Sequence, residues 1–314
     1  MVSTLSVVMP LRNEQKWVGA ALQALLCQTF EDFEVVVVDD GSIDSSRAVV
    51  ESFCDARIRL IAGPGIDLTA ALNTGLAAAN GEFIARMDSD DLCHPTRFEK
   101  QISYLRGNGN KVVVGSGFEI IDESSEVISR LMPPVTHEAI ARRLLVRNPF
   151  AHGSLMFRRT SVLRYEESPV EDYRLLISLG KVGQYGTVPE FLYSWRRRDA
   201  TLSTAPERVQ QVARNFESVQ RNLWSSDMAA PPGRAVLGCE DSSGRAVIVQ
   251  TELLIAAKAV AWRRFDVARD AIAALSGYPF RAWVDCFVHA PDRFRSIQLF
   301  LRKRFRAWRF SRAR

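Results

Sequence analysis

The sequence predicts an α/β protein, a mostly parallel sheet flanked by helices with a helical C-terminal appendage. Three observations carry that prediction. Over residues 1–110, short β-branched runs alternate with stretches of helical periodicity, strand–loop–helix in repetition. Each strand ends in polar residues: Asn13 and Glu14, Asp39 and Asp40, Asp67, then Asp88 and Asp90. The chain of 314 residues, 47% hydrophobic and 25% charged, has the makeup of a globular protein with a sizeable core.

The elements follow in order. Leu5-Ser6-Val7-Val8-Met9-Pro10 reads as a buried strand and Leu11-Arg12-Asn13-Glu14 as a polar loop. Trp17, Val18, Ala21, Leu22, Leu25 and Leu26 then recur at helical spacing. Glu34-Val35-Val36-Val37-Val38 is a second strand, stopped by the turn signal Asp39-Asp40-Gly41-Ser42, and Asp44 opens a helix running to residue 53. Arg57-Ile58-Arg59-Leu60-Ile61 is a third strand, and 69–79 a helix of small residues. Glu82-Phe83-Ile84-Ala85 is a fourth strand that delivers the loop Arg86-Met87-Asp88-Ser89-Asp90-Asp91. A helix follows Pro95 over 96–105. Strand–helix–strand units of this kind form parallel sheets with right-handed crossovers. Ligands bind outside the carboxyl ends of such strands.

The acidic loop after the fourth strand holds Asp88, Asp90 and Asp91. Carboxylates so close repel one another, and a hard divalent cation relieves the repulsion. Mg²⁺ takes one or two carboxylates plus substrate phosphates. An Asp-x-Asp loop at a sheet edge therefore suggests a metal–diphosphate clamp, although the same triplet also serves as a solvated acidic loop with a helix cap. The chain has no Gly-x-Gly-x-x-Gly and no Gly-Lys-Ser/Thr, so dinucleotide and P-loop sites lack their phosphate cradles. Carboxylates can instead accept hydrogen bonds from a base N–H and ribose hydroxyls.

These pieces together resemble the nucleotide-sugar-binding half of an inverting family 2 glycosyltransferase with the GT-A, Rossmann-like fold. The segments that carry the resemblance are Val7-Val8-Met9-Pro10 with Asn13-Glu14, and Val37-Val38-Asp39-Asp40-Gly41-Ser42 with Asp44. Ala71-Leu72-Asn73-Thr74-Gly75, the run from Asn80 through Asp91, and Pro95-x-Arg97-Phe98 complete it. The resemblance implies that Asp40 accepts a hydrogen bond from the uracil N–H, that Pro10 and Glu14 border the base and ribose, and that Asp88 faces the ribose. It implies that Asp90 binds a divalent metal, Mn²⁺ or Mg²⁺, on the diphosphate. Asp67 lies on the same edge and is grouped with the donor site, as is Arg86, which reaches the nucleotide or makes a surface salt bridge. Asp39 and Asp44 are expected to shape the turn and cap the helix. Leu72 stands where many relatives carry Arg.

In residues 111–205, Lys111-Val112-Val113-Val114-Gly115-Ser116 is a strand, and 118–128 alternates as a hairpin around Asp122-Glu123-Ser124-Ser125. Pro133-Pro134 breaks the chain, 138–146 is a short helix, and Asn148 to Arg158 is a loop leading into a strand. His152 is a candidate substrate contact, or a satisfied structural histidine. Glu171-Asp172 precedes a helical run. By resemblance these acids are the family's Glu-Asp pair, with Asp172 the catalytic base that takes a proton from the acceptor hydroxyl. Glu171 is a candidate contact beside it. At Trp195-Arg196-Arg197-Arg198, where relatives often show Tyr-Arg-x-His, Arg198 replaces a histidine near the metal; it either pairs with the diphosphate or belongs to a solvated basic turn. Trp195 is a candidate acceptor contact.

The domains expected are 1–110, the donor half, 111–205, the acceptor half, 206–228, a packing helix and linker, and 229–314, a helical region. Within the last, 293–314 is rich in Arg and aromatic residues, and Phe294, Ile297, Leu301, Phe305 and Trp308 share one helical face. A basic amphipathic helix with aromatic anchors suits an anionic membrane surface, the alternatives being a frayed tail or a helix docked on the protein. No nucleic-acid recognition module accompanies the charge of +5. Five dispersed cysteines without a C-x-x-C spacing fit a reducing compartment and read as small buried hydrophobes. No signal peptide and no apolar run near ~20 residues is legible, so a cytoplasmic protein, peripheral at most on the inner face of the plasma membrane, is expected.

The expected activity is transfer of a sugar from a nucleotide-diphosphate donor, with UDP foremost, to a hydroxyl on a saccharide or lipid-linked acceptor of surface polysaccharide synthesis. A nucleotidyltransferase would show a Gly-rich basic loop after the first strand, and Leu11-Arg12-Asn13-Glu14 is not one. A catalytically inactive sugar-nucleotide binder or membrane scaffold would bind without metal and without turnover. Intact Asp90 and Asp172 speak against it.

Overall fold

A computed structural model describes residues 3–160 and 163–198. They fall in the first of two compact units of the chain, Met1–Val219. The helix and linker expected over 206–228, the helical region from 229, the basic tail 293–314, Cys239 and Cys286 lie outside the described residues.

The first 110 residues follow the expected order. β1 (Leu5–Leu11), α1 (Val18–Leu26), β2 (Phe33–Asp39), α2 (Ser46–Glu51), β3 (Ile58–Ala62), α3 (Leu68–Ala78) and β4 (Phe83–Arg86) come first. After the acidic loop come β5 (Leu92–Cys93) and α4 (Arg97–Gly107). The remaining described residues add β6 (Lys111–Ile121), β7 (Val127–Leu131), α5 (His137–Leu144), a single 3-10 turn His152–Ser154, β8 (Met156–Arg158), α6 (Glu171–Gly180) and β9 (Gln184–Arg196).

All nine strands join one sheet in the order β3-β2-β1-β4-β8-β6-β9-β5, with β7 against β6. The pairs β3–β2, β2–β1 and β1–β4 are parallel, as the strand–helix alternation predicts. Beyond β4 the sheet becomes mixed: β8 is antiparallel to both β4 and β6, whereas β6 and β9 are parallel. The parallel prediction rested on βαβ periodicity, and that periodicity ends where β8 enters.

The donor-half strands are buried on both faces. Alternate β1 residues Leu5, Val7, Met9 and Leu11 pack with Val18, Ala21, Leu22 and Leu25 of α1 and Phe98, Ile102 and Leu105 of α4. On the opposite face Val36 and Val38 meet Ala71 of α3. A Cβ at Gly75 would lie 2.5 Å from Val8 Cγ1, so α3 sits close on β1 because that helix position has no side chain. Leu72 is fully buried in this helix, an apolar packing residue.

Two local readings need correction. The strand expected to stop at Ser116 continues unbroken to Ile121. Gly117, which resembles a turn signal, is a close-approach residue: a Cβ there would lie 3.0 Å from both the Glu190 carbonyl and Phe191 Cδ1 of β9. Second, only Cys93 of the described cysteines is buried; Cys27 and Cys54 are exposed. Among the described residues no helix is long and apolar enough to cross a membrane.

Candidate active site

β1 pairs with β2 on one side and β4 on the other, so successive strands leave it in opposite directions. Such a switch point opens a crevice between the loops that follow the two central strands. Here those loops are 12–17 after β1 and 87–91 after β4. Carboxylates on both are thereby brought together from 74 or more positions apart in the chain.

The first loop is fastened to the turn after β2. Asn13 takes a left-handed φ of 56°, which its short polar side chain tolerates. Its Oδ1 accepts from the Ile43 N–H at 2.9 Å and its own N–H donates to Ser42 Oγ. The Glu14 N–H donates to Ser46 Oγ at 2.7 Å, and the Gln15 N–H to Asp44. Asp39 accepts from the Ser42 N–H at 3.0 Å, and Asp44 from the Ser46 N–H at 2.9 Å. Asp39 and Asp44 thus shape the turn, as their positions before a helix suggested.

Asp40, just past β2, is buried and accepts from the Gly65 N–H at 2.7 Å, with Arg12 Nη1 at 3.4 Å. A Cβ at Gly63 would meet Asp40 Oδ1 and Cα near 3 Å, so the segment after β3 wraps tightly over this carboxylate. Pro10 is buried inside β1. Asp67 is the N-cap of α3, its Oδ1 accepting from the Ala70 N–H at 2.8 Å. One of its oxygens is therefore spoken for by the helix.

The loop after β4 is the electrostatic centre. Arg86 is buried, only 1% exposed, so the surface salt bridge that the sequence allowed is instead an internal one. Its Nη2 donates to Asp88 Oδ1 at 2.5 Å and its Nη1 to the Met87 carbonyl. Burial alone would lower the Arg86 pKa; Asp88 and the hydroxyls of Tyr165 and Tyr193 outweigh it and raise it. Asp91 faces inward, accepting from the Tyr193 hydroxyl at 2.5 Å and the Arg196 N–H at 2.6 Å. Burial, then the charges of Asp88 and Asp90, push its carboxyl well up.

Asp90 sits at the mouth. Burial and the neighbouring Asp88 raise its pKa to about 6, with Arg198 working against them. Arg198 donates to both oxygens of Glu14 at 2.9 Å, and its Nη2 lies 2.8 Å from Asp90 Oδ2. Burial also raises Glu14, opposed by the Arg198 bond. The C-terminal end of β9 is fixed alongside: Arg196 Nε donates to the Asp90 carbonyl at 2.8 Å, and its guanidinium lies 4.3 Å from the Trp17 ring centroid. Trp195, the intervening candidate, stands 39% exposed on β9.

The acceptor side gathers around α6, whose first turn carries Glu171 and Asp172. Asn148 Nδ2 donates to Asp172 Oδ2 at 2.7 Å, and the Tyr173 N–H to Asp172 Oδ1 at 2.7 Å. The Asn148 amide is oriented because its own Oδ1 accepts from the Phe150 N–H. Burial raises the Asp172 pKa; Asn148 and the Tyr173 N–H lower it in turn, and the Arg86 cation adds to their effect. His152 is held by Tyr165, Nε2 to hydroxyl 2.8 Å. Burial, with Arg86 nearby, drives its pKa well below the ordinary value, so the imidazole is neutral. Tyr165 is pinned by reciprocal bonds between its backbone and the Asn73 side chain, each 2.9 Å.

Sequence reasoning passed over Asn148, Tyr165, Tyr193 and Gly153. A Cβ at Gly153 would come within 1.8 Å of the Tyr193 hydroxyl, so this glycine admits the tyrosine that braces Asp91. Asn148 reads only as the start of the loop that leads into β8, and nothing local links it to Asp172.

No group of three His, Cys, Asp or Glu side chains among the described residues is arranged to hold a metal by itself. Mg²⁺ and its like need only one or two carboxylates when the diphosphate brings further oxygens. Asp90 with Asp88 beside it fits that donor set, and the repulsion that raises Asp90 is what a divalent cation would relieve. The buried Nε atoms of Arg86 and Arg198 have no hydrogen-bond partner among the described residues.

Comparison with known proteins follows this geometry. The chain is 32% identical over 167 residues to an O-antigen biosynthesis glycosyltransferase, WbnJ, of Escherichia coli, covering 52% of this chain and 65% of that one. It is 35% identical over 130 residues to the E. coli UDP-Glc:alpha-D-GlcNAc-diphosphoundecaprenol beta-1,3-glucosyltransferase WfgD, covering 41% and 51%. The chain thus spans less than two thirds of the length of these curated relatives. Among solved structures, a mannosyltransferase from Pyrobaculum calidifontis in complex with GDP-Man and Mn²⁺ superposes with a TM-score of 0.57 at 19% identity, over 98% of this chain and 83% of that one. That likeness concerns the fold, GT-A. The sequence pattern described as Glycosyl transferase family 2 matches residues 6–165, half of the chain, and takes in Pro10, Glu14, Asp40, Asp67, Arg86, Asp88 and Asp90. The chain belongs to glycosyl transferase family 2.

Proposed function

We propose that this protein transfers a sugar from a nucleotide-diphosphate donor, a UDP-sugar, to an acceptor hydroxyl with inversion at the anomeric carbon. The observation that carries the reading is the division of labour between two carboxylate groups. Asp88 and Asp90 lie on the loop after β4, and Asp172 belongs to a separate element, the first turn of α6, where Asn148 orients it at 2.7 Å. Both groups feel the same buried cation, Arg86.

In this reading Asp40 receives the base N–H, Pro10 and Glu14 border base and ribose, and Asp88, braced by Arg86, receives ribose hydroxyls. Asp67 closes the far end of that edge. A divalent metal, Mn²⁺ or Mg²⁺, held by Asp90 would offset negative charge on the departing diphosphate. Asp172 Oδ takes the acceptor hydroxyl proton as that oxygen forms its bond to the anomeric carbon. The bond from that carbon to the diphosphate oxygen breaks in the same displacement, and the electron pair leaves with the nucleoside diphosphate. No carboxylate becomes covalently attached, so the configuration inverts once. Neutral His152 and Tyr165, on the wall between the two groups, would orient the sugar or acceptor, with Glu171 and Trp195 flanking the acceptor.

The relatives support a surface-polysaccharide role: one is named for O-antigen biosynthesis, another for a diphosphoundecaprenol-linked acceptor. A lipid-linked acceptor matches the basic, aromatic segment 293–314, which would hold the chain at an anionic membrane. The donor edge gives the base one acceptor carboxylate, Asp40, which suits the single imide N–H of uracil.

The test incubates the full chain with a panel of UDP-, GDP- and dTDP-sugars and Mn²⁺ or Mg²⁺, following release of nucleoside diphosphate. Metal-dependent release from one UDP-sugar, lost in Asp90→Ala and Asp172→Asn, is expected. Metal-independent binding with no release from any donor, with a lipid-linked acceptor supplied, would refute the reading.

A further inference from the structure

Among the described residues, Arg198 is the one guanidinium whose partners are two carboxylates that the donor and its metal are expected to use. Its two terminal nitrogens grip Glu14, and one of them also lies 2.8 Å from Asp90. Its side chain is 24% exposed, and its buried Nε has no partner among the described residues. The chain leading to it is anchored, since Arg196 is bonded to Asp91 and the Asp90 carbonyl. Arg198 is therefore an arm on a fixed base, reaching across the crevice between the loops after β1 and β4.

Glu14, Asp88 and Asp90 repel one another, and something positive must stand among them. In this structure the protein supplies it. A guanidinium keeps its charge at every accessible pH. The acidic edge is thus compensated before any metal arrives. A divalent ion entering alone must displace a bidentate, charge-assisted ion pair and leave that guanidinium without a partner. A diphosphate changes the balance. It brings negative charge that can take over the guanidinium, whose planar fork and vacant Nε–H match phosphate oxygens, and Asp90 is freed for the metal.

Resting on the functional reading above, we propose that Arg198 is an exchangeable resident cation of the donor site. It closes the Glu14–Asp90 pair in the empty protein, and it moves to the diphosphate when donor and metal enter together. Metal and nucleotide diphosphate then bind as a coupled pair. Either one alone binds weakly, because the open arrangement is a minor state.

The experiment measures binding only and needs no sugar or acceptor. Mn²⁺ alone is titrated by electron paramagnetic resonance, and UDP alone, in EDTA, by calorimetry, in the full chain and in Arg198→Ala, Arg198→Gln and Arg198→Lys. If about one molecule in ten is open in the empty protein, Arg198→Ala binds Mn²⁺ alone roughly ten-fold more tightly. The same variant binds UDP in EDTA at least about ten-fold more weakly, because a charge-assisted contact is gone. Arg198→Lys keeps the competing charge and stays within about three-fold of wild type for Mn²⁺, yet loses UDP affinity with the fork. Should the alanine variant fail to fold, Arg198→Gln, neutral and of similar shape, carries the same expectations. Mn²⁺ affinity unchanged or weakened on loss of the arginine charge overturns the proposal, as does UDP affinity left intact. Those outcomes are separable from failure of the functional reading, in which wild type binds no nucleoside diphosphate at all, with or without metal.

Discussion

Removing the Asn148 amide tests the acceptor side most directly. Asn148 donates one hydrogen bond, 2.7 Å long, to Asp172 Oδ2, and its orientation is fixed by the Phe150 N–H. A hydrogen bond to a charged group contributes roughly 1.5–3 kcal/mol. Both side chains are partly exposed, which favours the lower end and predicts kcat/KM down about ten-fold in Asn148→Ala at neutral pH. The sign of the pH effect is sharper than the size. Burial raises the Asp172 pKa, and the Asn148 bond stabilises the ionised form and lowers it. A general base works ionised, so activity rises through its pKa along the acidic limb of the profile. Losing the amide must move that limb to higher pH. Asn148→Asp must move it further, because a second carboxylate then stands beside the first and the two titrate as a pair. The assay is nucleoside diphosphate release as a function of pH for wild type and both variants, with Asp172→Asn as the blank. A uniform fall with an unmoved limb, or a limb shifted to lower pH, would show that Asn148 only supports the loop and that Asp172 is not the base.

Two further outcomes follow from geometry elsewhere. Gly153→Ala places a methyl 1.8 Å from the buried Tyr193 hydroxyl, so overpacking should cost about 1–3 kcal/mol in denaturant unfolding. Adding Tyr193→Phe should recover part of that loss, and no recovery would mean the clash is relieved elsewhere. Asp90→Asn should raise stability at neutral pH while abolishing metal-dependent turnover. Folding raises the Asp90 pKa from 3.8 to about 6, so the folded chain favours the protonated form. The resulting penalty is absent below the unfolded value and fully developed above about 6. A shift of about two units corresponds to roughly 3 kcal/mol, a net in which the opposing Arg198 charge is already counted. Melting curves at pH values below and above this window should show the gain only above it; an equal gain at both would refute the assignment.

Much of the donor half was legible because its determinants are local. A β-branched run bounded by a turn signal makes a strand whatever lies far away, and repeated strand–helix units leave little choice but a parallel sheet. Since parallel strands all point one way, the polar residues ending β1, β2 and β4 had to share an edge. That argument placed Glu14, Asp40, Asp88 and Asp90 together without a coordinate. It also placed Asp39 and Asp44 in the turn. It gave less for Asp67, because a helix N-cap and an edge ligand have the same sequence appearance.

The tertiary structure decided what depends on distant partners. Nothing local distinguishes a solvated arginine turn from a guanidinium lying against Glu14, 184 positions away. Tyr193 reaches Asp91 across 102 positions, brought there by the antiparallel pairing of β5 with β9, which sets Tyr193 opposite Cys93. The extension of β6 through Gly117 was hidden because a glycine reads alike in a turn and under a crossing backbone. Arg86 read equally as a nucleotide contact or a surface salt bridge, and only the structure shows it buried where it acts on Asp88 and Asp172 at once. The sequence by itself determined which carboxylates share that sheet edge, through periodicity and strand direction. Which cation stands among them, and how Asp172 is held, was settled only when loops remote in sequence packed together, because burial and electrostatics act through space.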